Sequence, residues 1–146
     1  MNFQQAIVSG FKKYVQFSGR ASRSEFWYWT LFVIIGSGIA SLLGAVVNEI
    51  MAQMDSMPAS LVALAELGQS MVHLGFGIGI ILPSMAVTAR RLHDINKSGW
   101  CWFVCLIPLI GVIVLFVWYC KKGDGGENRF GANPLVNSQV AAGAAI

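Results

Sequence analysis

The chain has 146 residues, of which 55% are hydrophobic and only 12% charged, about half the charged share of an ordinary soluble domain. That balance excludes a disordered chain, disfavours a soluble globular enzyme, and leaves room for one domain. Ten basic against seven acidic residues give a net charge of +3. The charges are scattered rather than gathered into a basic stripe, so no nucleic-acid partner is expected.

In chain order, residues 2–17 come first. Phe3, Ala6, Ile7, Gly10, Phe11, Tyr14 and Val15 recur at three- and four-residue spacing, while Gln4, Gln5, Ser9, Lys12, Lys13 and Gln16 fill the other side. This pattern predicts an amphipathic helix in the membrane interface, its lysines near anionic head groups. The same stripe would also suit packing against the chain's own spans. Next, Ser22 or Ser24 is placed to cap a helix whose first turn holds Glu25, matching the positive end of the helix dipole. Phe26, Trp27, Tyr28 and Trp29 then read as an aromatic anchor at head-group depth.

Three charge-free stretches follow, at about 26–47, 67–89 and 98–120. Each reaches the roughly 20 residues that a helix needs to cross the hydrocarbon layer. The first lacks the cleavage pattern of a secretory signal peptide and is expected to remain as an anchor. Lys12, Lys13, Arg20 and Arg23 precede the first stretch; only Glu49, Asp55 and Glu66 separate the first two; Arg90, Arg91 and Lys97 separate the second from the third. The positive-inside rule therefore puts the N-terminus and the Arg90 loop in the cytoplasm. Three straight crossings would leave Lys121, Lys122 and Arg129 outside, against that rule. Either the basic tail is tolerated there, or the third segment breaks at Pro108/Gly111 into a re-entrant hairpin that returns to the cytoplasmic face.

Small residues at helical spacing, Gly36, Ala40 and Gly44 in the first stretch and Gly75 and Gly79 in the second, are candidate helix-packing positions. His73 is a strongly polar ring in a span, near enough to the acidic loop to reach the interface. Cys101 and Cys105, four apart on an expected helical face, read as small buried hydrophobes rather than metal ligands. No metal site is expected.

The segment from Arg90 through Arg91, Leu92 and His93 to Asp94 carries the densest chemistry. Glu25 pairing with Arg90 or Arg91, and Asp94 pairing with Arg20 or Arg23, would join two clusters at the cytoplasmic face. The same guanidinium groups fit phosphate oxygens. Glu127 and Arg129, in a glycine-rich turn after the third stretch, would join them only in the hairpin topology. Phosphate-loop, calcium-loop and nucleophile-elbow patterns are absent from the sequence, so no catalytic set and no cofactor is expected.

The order of motifs resembles a family. Gly19 to Trp27 (GRASRSEFW), Arg90 to Asp94 (RRLHD) with Ser98 to Trp100 (SGW), Ile107 to Gly111 (IPLIG) and Gly126 to Gly131 (GENRFG) are similar to the small bacterial inner-membrane proteins of the domain of unknown function 805 family. The resemblance covers roughly residues 3–134 and departs from the family pattern at the loop around 55–66 and the Ala-rich end. It implies an integral protein of the bacterial inner membrane and brings no reaction, substrate or cofactor.

The expected fold is thus an all-α membrane protein: three transmembrane helices preceded by an interfacial helix, one domain over 1–134, and a flexible tail over 135–146. The expected role is non-enzymatic, an assembly protein or one that interacts with membrane lipids, a second copy or another membrane protein. A small oligomeric transporter or channel is the alternative. A head-group enzyme using His93 and Asp94 as acid and base is a further one.

Overall fold

The computed structural model describes residues 1–53 and 58–136. Asp55 of the expected outer loop and most of the expected tail, from residue 137, lie outside the described residues. Those described form α1 (Phe3–Lys12), α2 (Arg23–Ala52), α3 (Ala59–Asp94), a 3₁₀ helix (Gly99–Leu106) and α4 (Ile110–Cys120). They contain no β-strand, only one isolated bridge between Asn128 and Gly131.

Local chemistry sets the helix ends. Asn2 and Gln5 form a reciprocal capping box at the start of α1. That helix stops at Lys12 instead of running on to Phe17, and Gln16 N–H closes a turn onto the Lys13 carbonyl. Ser22, rather than Ser24, accepts the Glu25 N–H at 3.2 Å ahead of α2. At the end of α3, Asn96 adopts φ 57°, and the N–H groups of Asn96 and Lys97 bond the carbonyls of His93 and Leu92. This is a Schellman termination with asparagine in the left-handed position.

Helices α2 and α3, with 30 and 36 residues, are long and apolar enough to cross a membrane. The third hydrophobic stretch is divided. After eight residues of 3₁₀ helix, Pro108, Leu109 and Ile110 make a γ-turn in which Leu109 has φ 62° and ψ −60° and Ile110 N–H bonds the Pro108 carbonyl at 2.7 Å. The 11-residue α4 follows. Gly111 permits the close return, because a Cβ there would run into the Val104 carbonyl. The 3₁₀ geometry also corrects the expectation for the cysteines. At three residues per turn, Cys101 and Cys105 sit about 120° apart rather than on one face.

The chain divides into two compact units, Met1–Thr30 with Leu82–Ile146, and Leu31–Ile81. In the second unit the parts of α2 and α3 run antiparallel. Phe76 lies against Gly36, and Gln69 lies against Gly44 and donates to the Ala40 carbonyl at 2.9 Å. His73 is tied to the Gln69 side chain at 3.0 Å and faces Ser41 Oγ at 3.4 Å. Gly36 and Gly44 therefore sit against side chains of α3, and Ala40 contributes its carbonyl. At Gly75 and Gly79 a Cβ would meet nothing within 4 Å among the described residues.

In the first unit, Ala6 and Gly10 of α1 are buried, and a Cβ at Gly10 would strike the Trp29 ring. Phe11 meets Trp29 edge-on at 5.3 Å and Phe3 meets Tyr28 at 6.0 Å. The middle of the α1 stripe thus packs on the start of α2, while Val8, Phe11 and Val15 stay exposed.

Candidate functional site

Within the first unit, the start of α2 and the end of α3 converge with the segment before α2 and the loop after α4. Arg20, Glu25, Arg90, Arg91 and Asp94 are all buried, with Arg90 1% and Arg91 0% exposed. Taking ions out of water costs several kcal/mol each unless partners replace the water. Here the partners are numerous. Arg90 pairs with Glu25 at 2.9 Å, and Glu25 also accepts from Ser9 of α1 at 3.0 Å. Asp94 takes Arg20 on one oxygen at 2.9 Å and Arg91 on the other at 2.5 Å.

Backbone carbonyls complete the arrangement. Arg20 donates to Gly126 O at 2.6 Å and to Asp124 O at 2.5 Å, with a longer contact to Gly131 O. Arg91 donates to Tyr119 O at 3.0 Å and to Lys121 O. These bonds fasten the end of α4 and the following loop to the end of α3. The Asp124 N–H to Asp94 carbonyl bond and the Asn128 side chain on the His93 carbonyl add to the tie. Gly123 is required here, because a Cβ at that position would collide with the Asp94 carboxylate. Arg90 retains one buried nitrogen, Nη2, without a hydrogen-bond partner among the described residues.

His93 Nδ1 lies 3.1 Å from the Gly19 carbonyl, and its ring stacks on Phe130 at 3.8 Å.

Of the residues singled out from sequence, Arg20, Glu25, Arg90, Arg91 and Asp94 meet in this cluster. His93 borders it through Gly19. Arg23 stands apart, exposed, with a 3.5 Å contact to the Cys120 carbonyl. Glu127 and Arg129 contribute no ion pair to the cluster. Arg129 reaches the Asn96 carbonyl and covers the Phe130 ring, and Glu127 is exposed. What that loop supplies is its backbone together with Asn128. Ser9, Asp124 and Asn128 were not recognised as members from the sequence; the run of glycines around Asp124 was the available signal for a loop pressed close to other atoms. Among the described residues no group of His, Cys, Asp and Glu is arranged to hold a metal.

These contacts join the GRASRSEFW, RRLHD and GENRFG segments in space. A profile of the family described as "Protein of unknown function (DUF805)" matches residues 14–132. The chain belongs to this family. It is 37% identical over 135 residues to the inner membrane protein YhaI of Escherichia coli (strain K12), covering 92% of this chain and 98% of that protein. It is 37% identical over 123 residues to the inner membrane protein YhaH of the same organism, covering 84% and 90%. No solved structure matches. Membership in DUF805 and relatives named as inner membrane proteins agree with two helices apolar enough to be spans.

Proposed function

We propose that this protein is a non-enzymatic, multi-pass protein of the bacterial inner membrane, whose cytoplasmic face is locked by the buried Arg–Glu–Asp cluster. On this reading α1 lies in the interface and α2 and α3 cross. The third segment enters and returns, so that the N-terminus, the Arg90–Asp94 segment and the 121–131 loop share the cytoplasmic side. The role is assembly with lipids or membrane partners.

One observation carries the reading: both ends of the third segment reach the same end of α3. At its start, Gly99 lies against Ala89, so close that a Cβ would stand 3.1 Å from the Ala89 side chain. At its finish, Arg91 holds the Tyr119 and Lys121 carbonyls. A hairpin also removes the charge conflict, because Lys121, Lys122 and Arg129 return to the positive side. The 3₁₀ helix and α4 pack on each other, while Leu109 and Ile110 at the turn between them are 80% and 65% exposed. Asp94 has both oxygens engaged by guanidinium groups, which suits a structural tie and leaves His93 without a carboxylate partner for acid–base work.

Labelling of Cys120, which is exposed, tests the topology in a Cys101→Ser/Cys105→Ser background. A membrane-impermeant maleimide should fail to react in intact cells and react after permeabilisation. Labelling from outside overturns the hairpin.

A further inference from the structure

A cavity of about 430 Å³ opens in the first unit between the end of α3 and the 3₁₀ helix, within the roughly 300–1,000 Å³ of small-molecule sites. Its apolar walls are Phe17, Met85, Trp100, Trp102 and Phe103, and His93 and Ser98 are its polar side chains. The walls themselves are exposed, Trp100 at 77% and Phe103 at 47%. In a membrane-embedded chain such a surface meets lipid, so the cavity is an inlet from the bilayer rather than from water.

The orientation of His93 decides what the inlet recognises. The Gly19 carbonyl can only accept, so the proton between them belongs to Nδ1. A neutral ring protonated on Nδ1 presents a lone pair at Nε2. No described residue donates to Nε2, and Phe130 covers a ring face, so the edge is the part left for a ligand. Gly99 keeps this edge clear, because a Cβ there would stand 3.4 Å from Nε2. The site therefore offers a largely apolar chamber with the Nε2 acceptor, the Ser98 hydroxyl, which already accepts from the Trp100 N–H, and no cation among its lining residues. An anionic head group finds no charged partner in it; a hydroxyl finds an acceptor at Nε2.

We propose that this cavity binds a neutral, hydroxyl-bearing membrane lipid of the diacylglycerol class, its hydroxyl donating to His93 Nε2 and its upper acyl chain lying among Phe17, Trp100 and Phe103. The proposal rests on the membrane-embedded reading above.

Full-length protein in phosphatidylcholine nanodiscs, spiked with dioleoylglycerol or with its O-methyl ether, is examined by native mass spectrometry for retained lipid. The alcohol should be retained about tenfold better than the ether, the worth of one hydrogen bond in a dry site. His93→Phe, which keeps an aromatic ring on Phe130, should equalise the two, whereas His93→Gln, which restores an acceptor, should recover part of the preference. Met85→Trp, which fills the chamber from an exposed position, should reduce retention of both. Equal retention by the natural protein, a preference that survives His93→Phe, or retention unaffected by Met85→Trp overturns the proposal. Cys120 labelling on sealed vesicles of the same protein separates the two failures: protected Cys120 with no lipid preference defeats this inference alone, and outside labelling defeats the topology beneath it.

Discussion

The two units of this chain solve opposite problems. Every buried hydrophobic and buried charged side chain in the described residues lies within residues 1–30 or 82–136. The unit from Leu31 to Ile81 turns Ile34, Leu42, Leu43, Leu64 and Ile78 outward, all at least 60% exposed. In lipid, apolar side chains gain little by turning inward, so a helix pair there is held by close backbone approach and a few polar links. Gly36, Gly44, Gln69 and His73 provide these. In the other unit three guanidinium groups and two carboxylates are buried and cross-bonded instead. The difference teaches where specificity resides. The outward apolar faces define a span, and the buried ions decide which segments meet.

The comparison breaks most sharply at Asp94. Asp94→Ala leaves Arg20 and Arg91 buried without their shared carboxylate, and removing one partner of a buried pair costs about 3–5 kcal/mol. Thermal unfolding in detergent, followed by helical circular dichroism, should show the loss. Charge reversal gives the specific test: Asp94→Arg should be partly rescued by Arg20→Asp and not by Arg23→Asp, since Arg23 stands outside the pair. Rescue is partial because an aspartate at position 20 cannot donate to the Asp124 and Gly126 carbonyls.

The turn at Leu109 is the next largest effect. Gly111→Val drives side-chain atoms into the Val104 carbonyl, an overpacking cost of about 1–3 kcal/mol. Leu109→Gly has the opposite sign, because a leucine at φ 62° and ψ −60° stores strain that glycine relieves, about 1 kcal/mol after its greater unfolded-state entropy is subtracted. A melting temperature that falls for Leu109→Gly would refute the γ-turn.

Much of this was legible in the sequence, for identifiable reasons. That Glu25 would meet Arg90 or Arg91, and Asp94 would meet Arg20 or Arg23, could be anticipated because opposite charges at the ends of apolar stretches have few other partners; which arginine each carboxylate takes is decided by the fold. The break near Pro108 and Gly111 could be anticipated because proline and glycine interrupt a helix in known ways. The carbonyls of Tyr119, Asp124 and Gly126 that catch the arginines could not, since every residue carries a carbonyl and only the fold decides which is near. Small-residue spacing likewise marked Gly36 and Gly75 alike, although among the described residues a Cβ at the first would strike the Phe76 ring and one at the second would meet nothing within 4 Å. The 3₁₀ form of Gly99–Leu106 had no signal in an apolar run that suits an α-helix equally well.

In the second unit the same style of perturbation should be mild. Gln69→Leu removes the bond to the Ala40 carbonyl and the link to His73. Interhelical polar contacts in membranes average about 0.6 kcal/mol, so the shift in unfolding should be a small fraction of that for Asp94→Ala. A loss as large as the Asp94 variant's would mean that the two units are stabilised alike, and the contrast drawn between them would fail.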